Sequence, residues 1–307
     1  MNILITGGAG FIGSHIAELL LEKGHAVTIV DNLSTGTTEF IPKTAQFINK
    51  DIRAREEMLA LFKDNHFDVV YHEAAQTMVP ASITSPFFDA DENIMGLLSV
   101  LDAARASGTQ KIIFSSSAAV YGDTSDLPCR ETLLPAPGSF YGLTKWMTER
   151  YLALYHQYYG LHYTVLRYSN VYGPRQGAHG EGGVVYLFAK ALAQNEGLTI
   201  FGDGNQTRDF ISVHDIALAN LAALEKGNES ILNISTGCET TLNELAEKMA
   251  ALGGKDRSII THEKPRPGDI YRSVLSIKAA QDILGWSPSM NLDNGLKDTL
   301  TFFRSHM

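Results

Sequence analysis

The sequence contains little cysteine and no pattern that suggests a metal centre. Its only two cysteines, Cys129 and Cys238, are far apart, and neither a Cys-x-x-Cys motif nor a metal-type histidine spacing occurs. We therefore expect no disulfide framework and no structural zinc, and we assign no metal ligand. This cysteine usage is typical of a reducing compartment.

Long apolar runs and an excess of basic residues are also missing. No apolar run approaches the ~20 residues that a membrane span requires, and Met1 leads directly into the first predicted strand. We expect no membrane association, no signal or transit peptide and a cytoplasmic location. A net charge of −9 argues against nucleic-acid binding as the main role.

A glycine-rich turn stands at the start of the chain. Gly7, Gly10 and Gly13, with Phe11 and Ile12 between them, follow the apolar run at 3–6 and precede a predicted helix at 14–23. Glycines in such a turn let the backbone approach a pyrophosphate, whose charge the amides at the helix start can receive. The turn alone would also suit an ordinary strand-to-helix loop.

An acidic residue follows the next predicted strand. The β-like run at 26–30 ends at Asp31, 21 residues after Gly10, which is the spacing at which a carboxylate reaches the adenosine ribose. Such a carboxylate accepts hydrogen bonds from two ribose hydroxyls and repels a 2′-phosphate, so it favours NAD over NADP. The alternative is a solvated turn acid that opens Asp31-Asn32.

Short β-rich runs alternate with helical segments through the first half of the chain. Strands are predicted at 68–72, 111–115 and 163–167, and helices at 93–107 and 141–159. This alternation predicts an α/β fold with a doubly wound parallel (Rossmann) sheet. We expect an NAD-binding domain over 1–172, with segments at about 205–235 returning to it. A smaller, partly interleaved lobe would cover 173–307 and begin its helices at 184–194.

Tyr141 and Lys145 are one helical turn apart and can act on one substrate. A nearby ammonium and a positive nicotinamide ring would both favour the phenolate form of Tyr141, and Lys145 could also hold the nicotinamide ribose. Ser117 follows a predicted strand, where catalytic loops of doubly wound sheets lie, and its hydroxyl could hold a substrate oxygen. Because this spacing is common, a structural role for the pair stays open.

Several motifs together resemble the extended short-chain dehydrogenase/reductase family, specifically its nucleotide-sugar branch. They are the turn at 7–13, Ser117 with the Val-Tyr-Gly at 120–122, the Tyr-x-x-x-Lys at 141–145, and the segments at 166–174, 208–210 and 266–269. The resemblance covers essentially the whole chain and is strongest to compact bacterial 4-epimerases of UDP-glucose.

The resemblance implies roles for individual residues. Tyr141 would be the base, Lys145 its electrostatic partner and ribose ligand, and Ser117 a hydrogen-bonding assistant. Cofactor contacts to NAD would come from Gly7, Gly10, Phe11, Ile12, Gly13, Asp31, Asn32, Asp51, Ile52, Asn93, Lys145 and Tyr168. The UDP-sugar substrate would be held by Ser117, Tyr141, Asn170, Arg208, Arg266, Asp269 and Ser273. Family members dimerise through two long helices per subunit, so a homodimer is expected.

The residues before the Val-Tyr-Gly motif indicate the reaction. They are Ala118 and Ala119, whereas related dehydratases and decarboxylases carry an acid there. Without that acid there is no evident group to eliminate water. The steps that remain are oxidation of the sugar, rotation of the ketone and its reduction on the other face, which together are epimerisation at carbon 4. The resemblance implies UDP-glucose and UDP-galactose as the substrate pair, and it places Ser273 beside carbon 2 of the sugar, where a small side chain would leave room for the N-acetylated pair. The alternative is that Ser273 is an ordinary loop serine and that Tyr271 or Arg272 fills this space. A UDP-glucuronate 4-epimerase, another nucleotide-sugar oxidoreductase and a non-catalytic NAD-binding regulator remain alternatives.

Overall fold

The computed structural model describes residues 1–177, 182–265 and 270–306. Its strands are β1 (Asn2–Thr6), β2 (Ala26–Asp31), β3 (Gln46–Asn49), β4 (Val69–His72), β5 (Lys111–Ser117), β6 (His162–Tyr168), β7 (Asn170–Tyr172), β8 (Leu198–Phe201), β9 (Thr207–Arg208), β10 (Phe210–Ser212), β11 (Ser230–Ile234), β12 (Thr240–Thr241) and β13 (Ile260–Glu263). Its α-helices are α1 (Phe11–Glu22), α2 (Arg55–Asn65), α3 (Val79–Thr84), α4 (Pro86–Ala90), α5 (Gly96–Ser107), α6 (Phe140–Tyr159), α7 (Val184–Ala193), α8 (Val213–Glu225), α9 (Leu242–Leu252), α10 (Lys278–Leu284) and α11 (Leu292–His306).

Seven strands form one parallel sheet in the order β11-β6-β5-β4-β1-β2-β3. Successive strand residues point to opposite faces, so Ile3 and Ile5 pack on one side with α1 and α8, while Leu4 packs on the other with α2 and α5. The predicted doubly wound Rossmann sheet is confirmed. Strand order reverses between β1 and β4, and ligands of such sheets bind in the crevice beyond the carboxyl ends at that point.

A separate core lies among α7, α9 and α11. It contains Val185, Phe188, Leu245, Met249 and Leu300, all of them buried. The later chain also contributes β11 to the outer position of the main sheet, and β10 pairs with β7. The proposed division of the chain near residue 172 stays a prediction.

The helix predicted at 93–107 is regular only from Gly96 onward. A wider π-helical turn, Asp91–Met95, precedes α5 and carries Asn93. Such turns often occur at functional sites, and the spacing of apolar residues does not reveal them. Among the described residues, no helix has the length and apolar character needed to cross a bilayer.

Candidate active site

A cavity of about 560 Å³ lies beyond the carboxyl ends of the sheet strands. Thirteen of the predicted site residues line it: Gly7, Gly10, Phe11, Ile12, Gly13, Asp31, Asn32, Ile52, Ser117, Tyr141, Lys145, Tyr168 and Asn170. The structure therefore brings the glycine turn, the acid after β2 and the Tyr-x-x-x-Lys pair into one site.

The glycine turn after β1 has the shape that a pyrophosphate needs. Gly7 has a φ of +71°, and a Cβ there would lie 2.5 Å from the amide nitrogen of Ala74. A Cβ at Gly13 would lie 2.4 Å from the carbonyl oxygen of Gly7. Only glycine fits at these two positions, so the backbone amides at the start of α1 stay accessible to an anionic ligand.

Asp31 ends β2 with its carboxylate turned back towards that turn. One oxygen accepts the amide of Ala9 at 3.0 Å and the other accepts the amide of Leu33 at 2.8 Å. Burial raises the pKa of Asp31. A carboxylate has about four acceptor sites, so acceptor capacity remains for ribose hydroxyls. The glycine turn and this carboxylate together fit a dinucleotide.

Lys145 is held between the sheet and the cavity. Its ammonium donates to the carbonyl oxygen of Ser115 at 2.7 Å and lies 5.9 Å from the ring centroid of Tyr141. Ser139 caps α6 by accepting the amide of Gly142 at 3.1 Å, which fixes where the Tyr-x-x-x-Lys turn begins. Burial raises the pKa of Tyr141 to about 12, and a hydrogen bond with Ser117 acts in the opposite direction.

Glu73 lines the same cavity, and the sequence analysis missed it. It directly follows β4, its side chain is partly buried, and its Oε1 atom is shielded from solvent and makes no hydrogen bond within the described part of the chain. Burial raises the pKa of Glu73 and lowers that of Lys145, while their mutual attraction opposes both shifts. The position after β4 was the available signal, because polar residues at strand ends face the crevice.

Two predicted cofactor residues do not line the cavity. Asp51 pairs with Arg53 at 2.6 Å, which lowers the pKa of Asp51. The amide of Asn93 is occupied: it accepts the backbone amide of Gln76 at 2.8 Å and donates to the hydroxyl of Thr144 at 3.1 Å. Asn93 thus joins the loop after β4 to α6. Its contact with a cofactor stays a prediction.

None of the substrate residues predicted beyond residue 172 is among the described residues that line the cavity. Arg208 and Ser273 do not line it, and Arg266 and Asp269 lie outside the described residues. Asp209 organises this region: its buried carboxylate accepts the amides of Thr236 at 2.9 Å and Gly237 at 3.0 Å. Its backbone carbonyl accepts the amide of Asn170 at 3.0 Å, so the strand that carries Arg208 adjoins the cavity wall.

Comparison with known proteins gives a consistent result. Residues 3–235 match the model of the NAD dependent epimerase/dehydratase family. The UDP-glucose 4-epimerase of Thermotoga maritima, solved with UDP-glucose, has a TM-score of 0.97 and 44% identity, with 100% of this chain and 99% of that chain covered. The UDP-glucose 4-epimerase of Thermus thermophilus, solved with NAD, has a TM-score of 0.94 and 39% identity, with 100% of both chains covered.

A third structure differs in its substrate. The UDP-N-acetylglucosamine 4-epimerase of Methanobrevibacter ruminantium, solved with UDP-N-acetylmuramic acid, has a TM-score of 0.93 and 35% identity, with 100% of this chain and 99% of that chain covered. The family match spans most of the chain, and the cavity contains the glycine turn and Tyr-x-x-x-Lys pair that the sequence predicted. This protein belongs to the NAD-dependent epimerase/dehydratase family.

Proposed function

We propose that the protein is an NAD-dependent 4-epimerase that interconverts UDP-glucose and UDP-galactose through a 4-keto sugar. The observation that carries the proposal is the convergence of Tyr141, Lys145 and Ser117 on the cavity that the glycine turn also lines. The test is to supply purified protein with UDP-glucose, UDP-N-acetylglucosamine and UDP-glucuronate separately and to resolve the products. Conversion of UDP-glucuronate alone would contradict the proposal.

In this proposal each side chain has its own role in catalysis. Tyr141 takes the proton of the sugar 4-hydroxyl and returns it, Ser117 holds the reacting oxygen, and the ammonium of Lys145 stabilises the phenolate. NAD supplies the acceptor and donor of the hydride at carbon 4. The burial that raises the pKa of Tyr141 makes added positive charge necessary for proton removal. Glycine-turn amides and Asp31 hold the cofactor.

The diphosphate must stay bound while the sugar ring rotates in the site. We assign this anchoring to Arg208 and Asn170, and to Arg266 and Asp269 outside the described residues. Guanidinium groups form paired hydrogen bonds with phosphate oxygens. Binding energy is thereby placed away from the reacting ring, which leaves the ring free to present either face.

Replacing Asp31 with serine should weaken NAD binding at least ~10-fold and NADP binding much less. The change removes two charge-assisted hydrogen bonds to the ribose and also a carboxylate that repels a 2′-phosphate. Dissociation constants for both cofactors, measured by calorimetry, check the prediction. Glu22→Ala, an exposed change at the end of α1, is the control. A native protein that binds NADP as tightly as NAD would contradict this role of Asp31.

Substrate breadth is assigned to Ser273. The two larger residues before it are engaged elsewhere: the hydroxyl of Tyr271 donates to Asp203 at 3.2 Å, and Arg272 pairs with Glu239 at 3.0 and 2.6 Å. Neither side chain is therefore free to take the space that the serine leaves. With Ser273 placed beside carbon 2 of the sugar, the site would accept an acetamido group there.

We expect wild-type activity on both the UDP-glucose and the UDP-N-acetylglucosamine pairs. Ser273→Tyr should suppress the N-acetylated pair selectively, by roughly 10–200-fold, since steric discrimination of this kind is worth about 1–3 kcal/mol. Tyr271→Phe is the matched control and should leave the ratio of the two activities unchanged. The assignment fails if wild type ignores UDP-N-acetylglucosamine at saturation, or if Ser273→Tyr lowers both activities equally.

We also propose a homodimer through the outer face of α6. This face exposes Leu143, Met147 and Leu154 by 36%, 38% and 44%, so within the described residues the second lobe does not cover it. An apolar helix face of this kind favours a partner helix. Sedimentation should give a dimer at micromolar concentration, and Met147→Glu should dissociate it. Leu187→Glu, on the exposed side of α7, should not; a wild-type monomer would refute the proposal.

A further inference from the structure

We propose that His156, His162 and Glu229 bind one divalent transition-metal ion of the Zn²⁺ type. One potential ligand atom from each residue lies within 4.8 Å of the other two. The Nδ1 atoms of His162 and His156 lie 2.6 and 3.5 Å from the same carboxylate oxygen of Glu229. Two imidazoles and one carboxylate form a ligand set that suits zinc and leaves a coordination position for water.

The site is separate from the proposed active site. His156 lies in the last turn of α6, His162 begins β6, and Glu229 directly precedes β11. Because the sheet strands are parallel, the starts of β6 and β11 lie at the end opposite the cavity. The ion would therefore join α6 to the outer two strands without touching the residues that line the cavity. Glu229 is 67 residues beyond His162 in the sequence, so the three positions form no recognisable metal motif.

Backbone interactions hold the three ligands in place. Gly160 has a left-handed backbone conformation and ends α6. Its amide donates to the carbonyl oxygen of His156 at 2.8 Å. Glu229 itself has a φ of 55°, which is unusual for a residue with a side chain. Its amide donates to the carbonyl of Tyr163 at 2.7 Å, and this fixes the carboxylate beside the histidines.

One ring nitrogen of the cluster has no hydrogen-bond partner among the described residues. The Nδ1 atom of His156 is shielded from solvent and makes no hydrogen bond with any described residue. A buried ring nitrogen without a partner is costly, and a metal ion would use its lone pair. Bonds of roughly 2.0–2.1 Å place tetrahedral ligand atoms roughly 3.4 Å apart. The contact of His162 with Glu229 must therefore widen by less than about 1 Å, and ligand atoms up to 4.8 Å apart must approach one another by up to about 1.4 Å.

Nearby positive charge does not block the site. Lys111 interacts electrostatically with Glu229. Its ammonium donates to the carbonyl oxygens of Ala223 at 2.6 Å and Lys226 at 2.8 Å, so it is directed into the protein and not at the carboxylate.

The test uses the full-length chain without an affinity tag, cleared of metal with a chelator. Zn²⁺ is titrated in competition with a chromophoric chelator, and we expect one ion per chain and a raised melting temperature. His156→Gln and His162→Gln should each weaken binding at least tenfold and abolish the thermal shift, with epimerase activity unchanged. His214→Gln is the control, because His214 pairs with Asp298 at 3.0 Å but belongs to no three-donor group among the described residues.

Two results would overturn the proposal. The first is absence of zinc binding by wild type, judged against the His156→Gln/His162→Gln double variant. The second is equal loss of affinity in the His214→Gln control. Circular dichroism of every variant separates loss of a ligand from loss of fold. Because the readout is binding of the metal alone, failure here is distinct from failure of the proposed epimerase activity.

Discussion

Tyr141→Phe is expected to lower turnover of UDP-galactose by a factor of ~10² or more, the usual effect of losing a general base. The phenyl ring keeps the volume of the side chain and its place above the sheet, so fold and NAD binding should persist. What disappears is the hydroxyl that bonds with Ser117 and that would exchange a proton with the sugar. Steady-state kinetics on purified variants, with NAD content measured separately, check the prediction.

The same helix offers a matched control. The hydroxyl of Tyr155 donates to the carboxylate of Asp102 at 3.0 Å on the outer side of the sheet domain. Tyr155→Phe therefore removes one tyrosine hydroxyl from α6 without touching the cavity, and turnover should stay within about twofold of wild type. Wild-type turnover in a folded Tyr141→Phe protein would remove Tyr141 from the proposed mechanism.

The structure qualifies how Tyr141 becomes a base. From the sequence we expect the nearby ammonium of Lys145 to favour phenolate, but burial dominates and raises the pKa of Tyr141 to about 12. Lys145 directs its hydrogen bond to Ser115, and burial lowers the pKa of Lys145 itself. A spacing of one helical turn predicts which side chains are neighbours, but it does not predict how far burial shifts their pKa values.

Features encoded in contiguous residues were predictable. The turn from Gly7 to Gly13 is recognisable from the spacing of its glycines, although the close approach that glycine allows at Gly7 is to the distant Ala74. The parallel sheet follows from alternating apolar runs. Ser117 and Tyr141 could be paired in advance because both lie at positions that a doubly wound sheet brings to one edge.

Features that depend on distant contacts were not predictable. The amide of Asn93 forms hydrogen bonds with Gln76 and Thr144, and nothing in the sequence indicated these contacts. Glu73 shows the reverse case, since a single acid after an apolar strand gives no indication that the folded chain shields its Oε1 atom from solvent. In each case the outcome is decided by partners whose positions only the folded chain fixes.

A buried ion pair lies beside the end of β5 that carries Ser116 and Ser117. Arg167, on β6, donates to the carboxylate of Glu149 at 2.9 and 2.6 Å, and both side chains are almost fully buried. Glu149 also accepts the hydroxyl of Ser116 at 2.6 Å, and the guanidinium of Arg167 donates to the hydroxyl of Tyr121 at 2.9 Å. Glu149 follows Lys145 by one turn of α6, and Ser116 precedes Ser117.

Glu149→Ala should therefore destabilise the protein by about 3–5 kcal/mol, because it leaves a guanidinium buried without its counter-charge. Glu149→Met combined with Arg167→Met should cost far less, since no charge is then stranded and the volume is kept. Asp282→Ala, which removes the exposed partner of Lys278 on α10, should change stability by less than about 1 kcal/mol. Urea unfolding of all three variants gives the comparison. Equal losses in Glu149→Ala and the double variant would show that packing, and not the stranded charge, sets the cost.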